Sequence, residues 1–362
     1  MKSFNIIFLF LLIPFVSFAT NDNNGLKKHE KTKTIKKNFS VNSNATVFLK
    51  NKYGNLNVTT WNENKVDITV KITVKGNSLS KVEDKLDGID VIFEASENLV
   101  EARTTIESTK SNWSFWGSNN NINYQINYYV KMPKTNNADF HNKYGNIELD
   151  EIEGKTNINC DYGKIEIDKL LNSSNTIDLD YCSASEINFM ESGNVNIDYS
   201  KLKINTTTST KVNSDYSTVR IGTSENVDFN CDYGSIVINE ATNINGNSDY
   251  AGMKIGTLKK NLKISTDYGG IKILNLANGF ENVTIDGSYA GIKILTNESN
   301  SFSFKMDLGY AGFSYPDDNV DLTKSIKKST KKYYEGTFGN ASSNSSINVK
   351  SRYGSVSLKV ND

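Results

Sequence analysis

Phe229-Asn230-Cys231-Asp232-Tyr233-Gly234-Ser235-Ile236-Val237-Ile238 holds the pattern that decides the fold. Apolar residues alternate up to the tyrosine, a small residue follows it, and apolar residues return three and five places on. The pattern recurs at Tyr144, Tyr162, Tyr181, Tyr199, Tyr216, Tyr233, Tyr250, Tyr268, Tyr289 and Tyr310, at intervals of 17 to 21 residues. Period-2 alternation indicates a strand with one buried side, and self-similarity at a short fixed period indicates a repeat architecture. Past each tyrosine the apolar phase moves from even to odd offsets, so the chain must bend there. A small residue suits such a corner because it tolerates unusual φ and close approach. On this reading the tyrosines belong to the inward set and form an internal aromatic stack; an exposed row able to stack on sugar rings is the alternative.

The expected fold is all-β: a β-solenoid of the single-stranded right-handed β-helix type, with about ten or more rungs of 17–21 residues and one short helix near the N-terminal end. With strands about 4.8 Å apart, Tyr144 to Tyr310 would span roughly 45 Å. The rung at Tyr181 carries Glu186 where an apolar residue is expected, with Ile187 and Phe189 one place late, which predicts a bulge.

Outward from the array, residues 1–19 read as a signal peptide, with Lys2, an apolar run from Ile6 to Val16 and Ser17-Phe18-Ala19 as cleavage site. Residues 20–32 read as a flexible tail, and 33–140 as a β-rich N-terminal cap. Ser80-Lys81-Val82-Glu83 has the form of a capping box, so a helix is expected over about 80–87, with Leu79, Val82 and Leu86 on one side and Gly88 as the stop. Residues 141–315 form the repeat array, 316–346 a Lys-rich excursion and 347–362 a terminal rung around Tyr353. Lysines 324, 327, 328, 331 and 332 would keep a sheet edge from pairing with other molecules, against the alternative of a polyanion-binding patch. The segment around Trp113, Phe115 and Trp116 folds back over an open end, or alternatively forms a contact patch or a membrane-touching tip.

Equal numbers of basic and acidic residues, 41 of each, favour no nucleic-acid partner. Cys160 and Cys231 should point inward about 19 Å apart, too far for a disulfide, and Cys182 has the outward phase.

Asp161, Asp180, Asp198, Asp215, Asp232, Asp249 and Asp267 each precede a tyrosine. Stacked about 4.8 Å apart, such carboxylates repel by roughly 0.9 kcal/mol per neighbouring pair even in bulk-water dielectric. Hydrogen bonds to the corner amides, solvent and splaying would relieve this; a Ca²⁺ ladder is the metal alternative. Lys203, Arg220, Lys254, Lys272 and Lys293 form a second column, read as compensating the acidic one or as holding an anionic glycan. Glycine-rich phosphate loops, Cys/His metal spacing and Gly-x-Ser-x-Gly elbows do not occur, so no catalytic residue, cofactor-binding residue or cofactor is expected beyond the calcium alternative.

Asn51-Lys52-Tyr53-Gly54-Asn55-Leu56, Tyr128-Tyr129-Val130-Lys131-Met132-Pro133, Asn142-Lys143-Tyr144-Gly145-Asn146-Ile147 and Tyr334-Glu335-Gly336 with Tyr353-Gly354 resemble the bacterial putative-adhesin domain family over about residues 33–360. The resemblance implies an exported or envelope-associated β-solenoid and transfers no catalytic residue. The expectation is a non-enzymatic protein, periplasmic, on the outer surface or secreted, without a transmembrane segment in the mature chain. It would present a repetitive surface for adhesion or binding to an envelope component, glycan or protein. The alternatives are an envelope-assembly or stress-signalling partner and a polysaccharide-active β-helix enzyme.

Overall fold

The structure, a computed structural model, describes residues 28–107, 122–340 and 343–361. The expected signal peptide and the Trp113, Phe115 and Trp116 segment lie outside the described residues. The chain divides into two compact units, residues 1–150 and 151–362.

In the first unit the strands are β1 (His29–Ser40), β2 (Thr46–Lys52), β3 (Leu56–Trp61) and β4 (Lys65–Gly76), then helix α1 (Leu79–Asp87), β5 (Ile89–Ser96), β6 (Leu99–Ile106), β7 (Asn123–Pro133), β8 (Asn137–Lys143) and β9 (Ile147–Ile152). β1 begins at His29, inside the stretch expected to be tail. β2 and β3, joined at the Tyr53 corner, lie parallel to β8 and β9, joined at Tyr144. On their other side they lie parallel to β6 and β7. β4 then runs antiparallel to β7, and β1 antiparallel to β4. α1 starts at N-cap Ser78 with no side-chain cap bond, so the expected capping box at Ser80–Glu83 does not form. Only Val82 of the helix is buried, and Leu79 stands exposed. Gly88 ends the helix as expected, its N–H bonding to the Asp84 carbonyl.

In the second unit follow β10 (Thr156–Asp161), β11 (Ile165–Leu170), β12 (Asn175–Asp180), β13 (Ser185–Asp198), β14 (Lys201–Asp215), β15 (Thr218–Asp232), β16 (Ser235–Asp249), β17 (Gly252–Asp267), β18 (Gly270–Leu276), β19 (Asn282–Ser288), β20 (Gly291–Thr296), β21 (Phe302–Gly309) and β22 (Phe313–Ser314). The last are β23 (Val320–Lys328), β24 (Lys331–Phe338), β25 (Ser346–Arg352) and β26 (Val356–Val360). β13 to β17 pair in parallel, each with the next, and equivalent positions of the repeat face each other.

Register turns the sequence pattern into buried columns. Ile204, Ile221, Ile238, Ile255, Ile273 and Ile294 line up directly over one another and are fully enclosed. Burying an isoleucine side chain contributes about 1.5–3 kcal/mol, so this column is a large stabilising element. Volumes compensate between neighbouring strands. Phe229 faces Gly246, where a Cβ would come within 2.3 Å of the Phe229 ring.

The irregularity at Tyr181 is an insertion, as expected. Ala184 takes φ +53°, and Ser185 moves into the inward place opposite Leu202. There the Ser185 hydroxyl accepts the Ile165 N–H at 3.1 Å.

The strand pair around Tyr353 is not terminal in space. β25 lies between β19 and β21, and β26 between β20 and β22. The Lys-rich excursion is a hairpin: β24 covers the open side of β21, and β23 lies outside it, exposed along nearly its whole length. That edge carries Lys324, Lys327 and Lys328, which suits the expected role of blocking further pairing.

Candidate interaction surface

Each corner is made by the tyrosine itself. Every repeat tyrosine in the second unit, Tyr353 included, has φ between +49° and +58°, as do Tyr53 at +65° and Tyr144 at +60° in the first. The unusual φ thus falls on the tyrosine and not, as the sequence pattern suggests, on the small residue that follows. One left-handed residue between two extended stretches reverses which side the chain presents. The tyrosine therefore points outward, and the residue after it points in.

Two expectations are corrected by this geometry. The tyrosines are not an internal stack: Tyr233 is 49% exposed and Tyr216 53%. Cys182, expected outside, is buried, with its thiol 3.1 Å from the Cys160 carbonyl. Cys160 and Cys231 are buried as expected. The small residue after the tyrosine is required by close approach. A Cβ on Gly234 would lie 2.1 Å from the Ser217 carbonyl oxygen. Where serine occupies that place its hydroxyl takes up a backbone donor: Ser217 Oγ accepts the Ser200 N–H at 2.9 Å.

A non-glycine left-handed residue costs about 1–2 kcal/mol, and the repetition offsets it. Rings stack face to face from Tyr162 through Tyr181, Tyr199, Tyr216, Tyr233, Tyr250 and Tyr268 to Tyr289, with centroids 4.7–5.0 Å apart. Tyr353 stands between Tyr289 and Tyr310, at 4.7 and 4.8 Å. In the first unit Tyr53 stacks on Tyr144 at 5.1 Å. Within a ladder each ring face is covered by its neighbour, so edges and hydroxyls are what solvent meets. A sugar ring cannot stack on the inner members, which removes the simplest form of the sugar-stacking alternative. The phenols of Tyr199 and Tyr250 are pushed up by partial desolvation and by neighbouring tyrosines and aspartates.

Beside the ridge, Asp161, Asp180, Asp198, Asp215, Asp232, Asp249 and Asp267 lie in one register, half-exposed or exposed. The carboxylates of Asp198, Asp215, Asp232, Asp249 and Asp267 accept no hydrogen bond among the described residues, contrary to the expected bonding at their own corners. The ladder has already satisfied those amides: Tyr199 N–H donates to the Asp215 carbonyl at 3.1 Å, and Tyr216 N–H to that of Asp232 at 3.0 Å. No group of three or more His, Cys, Asp or Glu side chains among the described residues is arranged to hold a metal ion. The flanking polar columns cross-link instead, Asn196 donating to Asp178 at 2.6 Å and Asn213 to Asn196 at 3.0 Å.

The basic column also forms in register, with Lys203 beside Arg220 and Lys254 beside Lys272 and Lys293, interrupted at Val237. It does not compensate the aspartates. Lys203 pairs with Glu186 at 2.9 Å, and Arg220, Lys254, Lys272 and Lys293 take part in no ion pair among the described residues. The bend at each tyrosine puts the two columns on opposite sides of the aromatic ridge. Sequence reading missed this separation, because parity counting placed the ridge inside.

Fold and surface together define an all-β protein whose exposed chemistry repeats strand by strand. No family model matches the chain, and no curated protein matches it. Solved structures do match. A putative cell adhesion protein from Clostridium sporogenes is 12% identical, with 91% of this chain and 100% of that one covered and a TM-score of 0.20. A putative adhesin from Bacteroides fragilis is 12% identical, covering 91% and 97%, at 0.26. A putative lipid binding protein from Parabacteroides distasonis is 11% identical, covering 93% and 98%, at 0.30. At these TM-scores the likeness carries no argument about activity, which rests on the chain's own residues.

Proposed function

We propose that this chain is an exported, non-enzymatic β-solenoid of the single-stranded right-handed type, presenting a repetitive surface for adhesion or binding at the bacterial cell envelope. The observation that carries it is the in-register exposure of whole columns, tyrosine, aspartate and lysine, each repeated along the second unit. A catalytic centre needs unlike groups converging on one point. These groups are instead spread evenly in lines, which suits multivalent contact with an extended partner. No helix among the described residues is long and apolar enough to cross a membrane. Adhesin names among the matched structures agree with this reading without adding to it.

The test is binding of the purified chain to a panel of glycans and envelope extracts. Saturable capture by a surface component is expected, without release of reducing or unsaturated ends from acidic polysaccharides. Absence of binding across the panel, or cleavage of a polysaccharide, overturns the reading.

A further inference from the structure

The corner that buries Cys182 also brings it onto Cys160. In this repeat the residue after a tyrosine reaches back to the main chain two places before the preceding tyrosine. Ser200 Oγ lies 3.4 Å from the Leu179 carbonyl oxygen, and Ser217 Oγ 3.1 Å from that of Ile197. Cys182 Sγ meets the Cys160 carbonyl oxygen in the same way at 3.1 Å, and the two thiols also share a hydrogen bond. Both side chains are buried, and both lie in the second unit. At no other corner of the repeat does sulfur stand in both places. Cys231 has Ala251 in the corresponding position, and its thiol lies 4.0 Å from the Ser214 hydroxyl.

The pair joins the two repeats that packing holds least well. Directly after Cys182 comes the insertion at Ala184, which puts Ser185 in the inward place held by Leu202, Val219 and Ile236 in the strands that follow. Ahead of the same two tyrosines, Thr156 Oγ1 and Asn175 Oδ1 are buried without a hydrogen-bond partner, the only such side-chain atoms of the second unit among the described residues. A buried polar atom left unsatisfied destabilises, and so does a lost apolar contact.

We infer that Cys160 and Cys182 are a disulfide site, oxidised as the chain folds in an oxidising compartment and stapling one repeat to the next. Small-molecule disulfides are the oxidant class. One cysteine, as thiolate, attacks the oxidant's S–S bond and expels one thiolate, leaving a mixed disulfide on the chain. The other cysteine then attacks the chain sulfur of that mixed disulfide and expels the second thiolate. The two protons lost by the cysteines end on the two thiols released. Enclosure of both sulfurs in the finished corner sets the order of events: exchange happens while the corner is open, and closure then shields the bond from reduction. The loop so closed runs over residues 161–181 and removes freedom from the unfolded chain. From the reading above this takes only the exported location, and its test needs no ligand.

The experiment is refolding of the full chain from denaturant in a glutathione redox buffer and, in parallel, under excess dithiothreitol. After the first, intact mass should be lower by two hydrogens and peptide mapping should join Cys160 to Cys182, with Cys231 alkylated once the chain is denatured. After the second, all three thiols should alkylate on denaturation. The oxidised form should melt roughly 5 °C or more above the reduced one. Cys182→Ser places there the residue found at Ser200 and Ser217, and Cys160→Ser the residue found at Ser214 and Ser248, so both variants should fold and neither should gain from oxidation. Three alkylatable thiols after refolding in glutathione overturn the inference, as does a bond to Cys231 or between chains. A Cys160–Cys182 bond that leaves the melting temperature unchanged overturns the staple. Should a variant fail to fold, the mass and peptide map of the wild type still decide.

Discussion

Replacing Tyr233 tests whether the exposed ladder stabilises the fold. Its ring lies 4.9 Å from Tyr216 on one face and 4.9 Å from Tyr250 on the other, with half its surface covered. Covering about 100 Å² of a tyrosine contributes about 2.5 kcal/mol, an upper figure because the unfolded chain already hides part of it. Two stacked pairs add about 0.5–1.5 kcal/mol each. Alanine keeps the left-handed corner and so recovers none of its cost. Tyr233→Ala should therefore destabilise by about 3 kcal/mol, whereas Tyr233→Phe, which keeps ring and stacking, should change stability by less than about 0.5 kcal/mol. Tyr310 stacks on Tyr353 alone and is 60% exposed, so Tyr310→Ala should cost about half as much. Urea unfolding followed by tyrosine fluorescence and far-UV circular dichroism provides the readout. If Tyr233→Ala costs less than 1 kcal/mol, or no more than Tyr310→Ala, the stacked ladder is not what stabilises the corners.

Gly246→Val should be destabilising by at least 1–3 kcal/mol through overpacking against Phe229, and Phe229→Leu in the same chain should recover part of that loss, measured by thermal melts. Thiol alkylation should be negligible in the native protein at pH 8 and complete after denaturation. The hydrogen bond with Cys182 and burial push the Cys160 thiol up, burial pushes up Cys231, and Cys182, whose thiol the bond with Cys160 shifts down, is protected by its enclosure alone; rapid native labelling would contradict the enclosed corner. Millimolar Ca²⁺ should leave the melting temperature unchanged, because no cluster of acidic side chains converges among the described residues. A rise of several degrees would mark the aspartate column as a cation site. Lys203 and Asn205 hold the Glu186 carboxyl below its usual range. Its contribution is thus present above the unfolded pKa and lost as pH falls through the lower folded value. Lys203→Met should flatten the acid limb of a melting-temperature profile below about pH 4.5, and an unchanged limb would show that the bond is not formed in solution.

Much of the fold could be read from residue order alone. Alternation before and after each tyrosine specified strands, and a nearly constant interval specified that like would stack on like. The isoleucine, aspartate and lysine columns follow from those two facts without coordinates. Even the insertion at Ala184 showed as a one-place slip in Ile187 and Phe189.

Tertiary structure decided three things. Parity tells inside from outside only while the backbone stays extended, and one left-handed residue inverts the count. Nothing in the letters says whether Tyr233 or Gly234 takes that conformation, so the ridge, Cys182 and the separation of acidic from basic columns were hidden. Pairing between distant segments was hidden too, because hydrogen-bonded ladders carry no record of chain order: Tyr353 slips between Tyr289 and Tyr310, and Tyr53 lies beside Tyr144. Whether a glycine is needed for close approach or simply leaves space open depends on what stands opposite it. That distinction separates Gly234 from Gly252, Gly270 and Gly291, and only the neighbouring strand supplies it.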